Sequence, residues 1–335
     1  MAVSDTTRIE LPLGKRLRYG AEACVFFLFI GFFRLLGLNA ASALGGFIGR
    51  NIFRHVGTMN RARENLREAF PEKTESEIET IVIAMCDNLG RTVAEYANLD
   101  KLRLEGSDPR LELEGAEHAK AAIARGKGVI FFSGHFANWE TMPFVAEQSG
   151  FPGGEVYRPL NNPFVNRWIV AQRTRNGPKL QIEKGARGTR QIFTTLRRGD
   201  CVFLLADQKT NEGLPIPFFG RDAMTTPAPA MFALKLGAAL LPASNERIGG
   251  ARLKATIHPP IDFTPTGDSE RDVYLLTRAI TEALEKIIRE RPSQWLWLHR
   301  RWPTKREQDN VLGKRALQTL EAVGVRVDRE GSSLT

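Results

Sequence analysis

At 335 residues, with 42% apolar and 25% charged side chains, the chain can bury a complete core, which argues against a disordered or low-complexity protein. Its formal charge of +9 is unevenly spread: residues 1–65 hold nine Lys or Arg against four acids, residues 285–315 again nine against four, and residues 66–284 balance at 27 of each sign. Two basic ends around a neutral body suit an anionic membrane surface and argue against a basic groove along a nucleic acid. Cys24, Cys86 and Cys201 form no spaced pair, which argues against a disulfide framework or a zinc site and for a reducing compartment.

In chain order, residues 1–14 read as a leader. Lys15, Arg16 and Arg18 then precede an unbroken apolar run at 23–33, closed by Arg34. Eleven helical residues cover only about 16 Å, so crossing a hydrocarbon core of roughly 30 Å would need residues 19–38, with Arg34 snorkelling. A basic flank before an apolar run predicts a membrane-anchoring helix, spanning or lying in the interface. Two rival readings are a signal peptide cleaved at Ala41-Ser42-Ala43 and a buried core helix.

Residues 40–98 read as helical. The stretch 40–53 is small and apolar, 60–70 is amphipathic and stopped by Pro71, and 74–98 opens on a capping box of Thr74 and Glu77. From residue 111 the pattern alternates: strands at 111–113, 129–132, 155–157, 180–182 and 201–206, with helices at 116–125, 137–149, 163–175 and 188–197. A Gly- and Pro-rich loop over 207–226 precedes a helix at 227–236, strands at 239–245 and 252–258, and a helix at 270–290. Such alternation predicts an α/β fold, a mixed, mostly parallel central sheet flanked by helices, behind an N-terminal membrane-anchoring helix and helical segment. The expected divisions are 1–38 leader and anchor, 39–105 helical segment, 106–305 α/β domain, and 306–335 polar tail.

The stretch around which this is organised is 128–140, G-V-I-F-F-S-G-H-F-A-N-W-E. A buried strand should end at Ser133-Gly134, with Asn138 as the N-cap of the next helix. His135 then falls in the turn and Glu140 in the first helical turn, from which its carboxylate could reach back to the ring. A braced imidazole can take a proton from a hydroxyl. Polar groups follow two other strands: Arg158, Asn161 and Asn162 in R-P-L-N-N-P, and Asp207 with Gln208. An arginine there could stabilise a developing oxyanion, and an aspartate could hold it in place. The cluster Trp295, Trp297, His299, Arg300, Arg301 and Trp302 reads either as a lipid-interface belt or as core packing. Lys184, Arg187, Arg190, Arg197 and Arg198 could meet an acidic partner, lipid phosphates or only solvent.

In order along the chain, H-F-A-N-W-E, V-Y-R-P-L-N-N-P, A-D-Q and P-F-F-G behind an apolar anchor resemble the bacterial lipid A biosynthesis acyltransferases of the late, lauroyl- or myristoyl-type. The resemblance implies acyl transfer from acyl carrier protein thioester to a hydroxyl of a lipid A precursor at the cytoplasmic face of a bacterial inner membrane. It implies a dyad of His135 and Glu140, with Arg158 assisting the oxyanion and Asp207 supporting the site. Asn138, Asn161, Asn162 and Gln208 are the candidate substrate contacts. No cofactor and no metal are expected; the partners are acyl carrier protein, the lipid A precursor and inner membrane lipids, with no nucleic acid. Transfer to another membrane glycolipid or phospholipid is the alternative, and a non-catalytic basic membrane or nucleic-acid binder is the reading from a different class.

Overall fold

The computed structural model describes residues 12–210 and 213–302. Nine strands are present among them: β1 (Leu111–Glu114), β2 (Val129–Ser133), β3 (Gly153–Tyr157), β4 (Leu180–Glu183), β5 (Cys201–Leu205), β6 (Leu214–Phe218), β7 (Arg221–Thr225), β8 (Ala239–Gly249) and β9 (Arg252–Ile257). Seven form one sheet in the order β1-β9-β8-β2-β5-β3-β4. Every neighbouring pair runs parallel except β8 and β9, so the sheet is mixed and mostly parallel, as expected.

The helices are α1 (Leu13–Asn51), α2 (Met59–Ala69), α3 (Glu75–Glu95), α4 (Ala116–Ala124), α5 (Thr141–Gln148), α6 (Pro163–Asn176), α7 (Ala186–Arg197), α8 (Ala228–Leu236) and α9 (Ser269–Glu290). Strand β2 is buried along its whole length because its side chains alternate between two covered faces. Val129 and Phe131 pack with Ala119 and Ala122 of α4, whereas Ile130 and Phe132 join residues of α7, α8 and α9.

Helix α1 is broken at Gly37, which takes φ 72° and ψ 169°, a conformation closed to side chains with a Cβ. The portion after the break packs on α3 with almost no space between them: a Cβ on Gly45 would lie 2.3 Å from the Gly90 carbonyl oxygen, and one on Gly49 would lie 2.0 Å from that of Cys86. Small residues at 40–49 are therefore a packing requirement. The portion before the break is different, because Leu13, Leu17, Val25, Leu28, Phe32 and Leu35 are exposed. The segment is long and apolar enough to cross a membrane. Its Arg34 pairs with Asp100 and donates to the Ala97 carbonyl at 3.1 Å. Arg34, which a span over residues 19–38 would require to snorkel, is thus in an ion pair with the body of the protein. The capping box at Thr74 and Glu77 is formed, with the Thr74 N–H donating to the Glu77 carboxylate at 2.8 Å.

Two expectations are corrected. The stretch 207–226 is not all loop, since it contains the antiparallel hairpin β6–β7. Pro215 and Pro217, which argue against a strand, sit two apart and so turn the same edge outward, where no ladder N–H is needed. Phe219 at φ 52° and Gly220 at φ 71° make the tight hairpin turn, so P-F-F-G is a turn signature. The interfacial reading of the C-terminal aromatics also fails: Trp295, Trp297, Trp302 and Arg301 are buried. Trp295 and Trp297 pack edge to face at 4.6 Å, and Trp302 lies against Phe218. Residues 303–335, which include the whole of the expected polar tail, lie outside the described residues.

Candidate active site

The register of the sheet brings the site together. Ser133 of β2 stands opposite Leu205 of β5, so two residues further on both chains leave the sheet with His135 beside Asp207. Likewise Tyr157 stands opposite Glu183, so Arg158 and Lys184 emerge next to each other. All four lie at the carboxyl ends of parallel strands, where open α/β sheets build their sites.

His135 Nδ1 lies 2.9 Å and 3.0 Å from the two carboxylate oxygens of Asp207, and the His135 backbone N–H donates to Asp207 Oδ2 at 2.7 Å. The Trp295 indole N–H donates to Oδ2 at 2.8 Å. Burial alone would raise the Asp207 carboxyl, but the His135 imidazole and the ring and backbone hydrogen bonds from that residue hold it well below the usual carboxylate range. The carboxylate therefore stays charged and fixes the imidazole with its proton on Nδ1, leaving Nε2 outward. Gly134 makes room for this, because a Cβ there would lie 2.9 Å from the Phe136 ring and 3.1 Å from Asp207 Oδ2. Ala137 holds the rest of the turn at φ 44°, its carbonyl accepting from Thr92 Oγ1 at 3.0 Å and its N–H donating to the Gln294 carbonyl at 2.8 Å.

His135 opens onto a cavity of about 380 Å³. Phe131, Met142, Val156 and Leu204 line its apolar part, and Arg158, Asn161, Lys184 and Gln208 are its polar lining near the strand ends. Arg158 is exposed and makes no hydrogen bond or ion pair with a described residue; Asp207, expected to support it, faces the histidine instead. Burial, with Arg158 adding to it, lowers the Lys184 ammonium.

Glu140 is where sequence and geometry part. Its carboxylate was expected on the His135 ring, but Asp207 holds the ring nitrogen on that side, and Glu140 lies in a separate buried cluster. Arg173 of α6 donates to it twice, from Nε at 2.7 Å and Nη2 at 2.6 Å, and the Tyr96 hydroxyl donates at 2.6 Å. Arg173 also lies 3.4 Å from Glu155, which with Arg173 itself contacts the cavity. Burial opposes ionisation of Glu140, but Arg173 and the Tyr96 hydrogen bond overcome it and the group is lowered. Glu155 is left with the smaller share of one guanidinium, so burial and the neighbouring Glu140 charge raise it to about 7.

Asn138 and Asn162 do not line the cavity. Asn138 is buried and its side chain donates to Glu95 at 2.9 Å, while its carbonyl accepts from the Thr141 N–H. The helix accordingly starts at Thr141, later than the expected 137. Asn162 caps α6, accepting from the Phe164 N–H at 3.1 Å, and its amide donates to the Tyr19 carbonyl at 2.9 Å and to Glu22 at 3.1 Å. Gln208 does join the site, as does His299, which the sequence reading treated only as part of an aromatic-basic run. Tyr96, Glu155, Arg173 and Trp295 also went unrecognised; they reach the site across long sequence separations, and no local spacing signals them.

Comparison with known proteins fits this arrangement. The sequence pattern of the bacterial lipid A biosynthesis acyltransferase family matches residues 14–304. The chain is 27% identical over 253 residues to the lipid A biosynthesis lauroyltransferase of Escherichia coli, covering 72% of this chain and 78% of that protein. It is 26% identical over 260 residues to a lipid A biosynthesis acyltransferase of Haemophilus influenzae, covering 75% and 77%. It is also 25% identical over 279 residues to the phosphatidylinositol mannoside acyltransferase of Mycobacterium tuberculosis, covering 79% and 86%. With its histidine and acid at paired strand ends beside an apolar cavity, the chain belongs to the bacterial lipid A biosynthesis acyltransferase family and is an acyltransferase.

Proposed function

We propose that the chain moves a fatty acyl group from acyl carrier protein thioester to a hydroxyl of a lipid A precursor. The observation that carries this reading is His135, braced on Nδ1 by a buried, charged Asp207, with Nε2 facing an apolar cavity. Nε2 takes the proton of the acceptor hydroxyl as its oxygen attacks the thioester carbonyl. The resulting tetrahedral oxyanion is stabilised by Arg158 at the cavity mouth, with Lys184 beside it. Collapse breaks the carbon–sulfur bond, and the imidazolium returns its proton to the departing thiolate. Asp207 stabilises the charged ring throughout, as the acid of a triad does. Glu140 acts at one remove: its ion pair with Arg173 fixes the loop after His135. The acyl chain occupies the cavity between Phe131, Met142, Val156 and Leu204. No step needs a cofactor or a metal.

The apolar portion of α1 supports docking to the cytoplasmic face of an inner membrane, lying in the interface. Asn162 ties Tyr19 and Glu22 to the body at one end and Asp100 ties Arg34 at the other, which favours a helix lying along the interface over one that crosses the bilayer. Its exposed Leu and Phe side chains then enter the lipid, and Lys15, Arg16 and Arg18 meet headgroups.

The similarity to a phosphatidylinositol mannoside acyltransferase favours a second reading, a different membrane glycolipid as acceptor. Incubating the full chain with acyl carrier protein thioester and each acceptor in turn, and weighing the products by mass spectrometry, separates the two. Gain of one acyl mass on the lipid A precursor supports the first. Gain only on the mannosylated lipid overturns it.

A further inference from the structure

The steps above leave one part of the site unused. Gln208 Nε2 lies 3.3 Å from His135 Nε2 and 3.2 Å from His299 Nε2, and the two imidazoles are 4.8 Å apart between ring centres. An amide nitrogen offers two hydrogens and accepts none, so it serves both rings only if each facing nitrogen is an unprotonated acceptor. For His135 that is the tautomer with its proton on Nδ1, the nitrogen against Asp207. The requirement imposed by Asp207 from one side of the ring is thus imposed again by Gln208 from the other.

His299 is fixed in place. Asn65 donates to the Trp297 carbonyl at 2.7 Å and to the His299 carbonyl at 3.0 Å, and Arg61 donates to the Leu298 carbonyl at 3.2 Å. Burial above all, with the neighbouring His135 imidazole second, pulls the His299 imidazole down to about 4, so at working pH it is neutral and has one ring nitrogen able to accept.

We propose that His299 is a positioning residue for acyl transfer: it accepts one N–H of Gln208, and so holds the other on His135 Nε2 until the acceptor hydroxyl displaces it. This rests on the acyl-transfer reading above. The arriving alcohol donates its O–H to Nε2 and accepts the freed Gln208 N–H, which sets its oxygen for attack. Without His299 the amide is free to turn over and present its oxygen to Nε2, which favours a protonated nitrogen where a bare one is needed. The other charged groups near the two rings are Asp207, Glu140, Arg61, Arg301, Lys184 and Arg158, and none of them changes in the variants below.

The test compares His299→Phe, which fills the space without an acceptor, with His299→Asn, whose carbonyl oxygen can take the same N–H. With the full chain in detergent, acyl carrier protein thioester and lipid A precursor, His299→Phe should lower kcat/KM about tenfold, the weight of one positioning hydrogen bond. The acid limb of its pH profile should move to higher pH by about half a unit, and His299→Asn should recover most of both. An unmoved profile in His299→Phe, or an Asn variant as poor as Phe, overturns the proposal. A readout free of turnover is nitrogen NMR of histidine-labelled protein at about pH 8, above the ordinary imidazole range. The wild type should show both His135 and His299 with the proton on Nδ1, and in His299→Phe the His135 Nε2 resonance should move as the Gln208 N–H leaves it, while Nδ1, still held by Asp207, keeps its proton. A proton on Nε2 of either wild-type ring ends the proposal. Wild-type protein that acylates no lipid A precursor would instead overturn the proposed function, with the NMR result still deciding this one.

Discussion

Asp207 and Glu140 are both buried carboxylates near the loop that carries His135, yet they are surrounded in opposite ways. Asp207 accepts from a backbone N–H, an indole and an imidazole, and that imidazole turns its other nitrogen to a cavity. Glu140 spends both oxygens on Arg173 and Tyr96. The first cluster can pass a proton through the ring; the second is closed on itself and can only hold shape and charge. Closeness in sequence, which favours Glu140, is a poorer guide to the partner of a histidine than the register of the strands.

The largest expected effects separate the clusters directly. His135→Ala should lower the transfer rate by about 10²–10⁴-fold, the range for loss of a general base, and by more than its loss of stability accounts for, because Asp207 keeps the backbone N–H and the Trp295 indole as partners. Asp207→Asn should fall in the same range, because an amide N–H aimed at Nδ1 drives the ring proton onto Nε2. Glu140→Gln should show a different pattern. Removing one charge leaves Arg173 buried with only Glu155 for balance, at a cost of about 3–5 kcal/mol, so activity and thermal stability should fall together. Steady-state rates paired with thermal melts of the same preparations check all three. A Glu140→Gln variant as stable as wild type but inactive would place Glu140 in the chemistry.

A smaller effect sharpens the second cluster through pH. The Glu155 carboxyl is raised to about 7, against an unfolded value in the ordinary carboxylate range. Its stabilising contribution is therefore complete below that range and is lost as pH rises through about 7. Glu155→Gln cannot ionise, so wild type and variant should melt alike near pH 5, whereas near pH 8 the variant should be the more stable by on the order of 2 kcal/mol. Parallel melts at the two pH values decide it; equal gaps at both would mean that Glu155 is ionised throughout.

These differences also mark what the sequence could disclose. The apolar run at 129–132 and the breaker pair after it place His135 at a strand end without any coordinates, and the second apolar strand places Asp207 at another. What a linear pattern does not contain is which strands are neighbours: β2 and β5 are adjacent in the sheet although α5, β3, α6, β4 and α7 intervene in the chain. For the same reason Trp295 and Arg173 were invisible as site residues, and Asn162 looked like a substrate contact when its amide caps α6 and ties down α1. Trp297 and Trp302 are read correctly only once the hairpin turn at Phe219 supplies the surface they pack on. The small residues of 40–49 were legible as helix but not as the seam with α3, since nothing in one helix identifies the backbone it must approach.

The smallest expected effect is the finest probe of a closed cluster. Tyr96→Phe removes one of three hydrogen bonds to Glu140 and leaves the bidentate Arg173 pair whole. The Glu140 oxygen that loses the hydroxyl still accepts from Arg173 Nη2 at 2.6 Å, so no acceptor is stranded and the cost should be about 1 kcal/mol. If the cluster acts only by holding the loop after His135, the transfer rate should stay within about twofold of wild type, as expected for a substitution that leaves the charges in place. If instead the Tyr96 proton takes part in tuning the ring through Glu140, the rate would fall much further than the melting temperature. Measuring both on the one variant therefore tests the division between a cluster that moves protons and one that holds position, with the least disturbance to either.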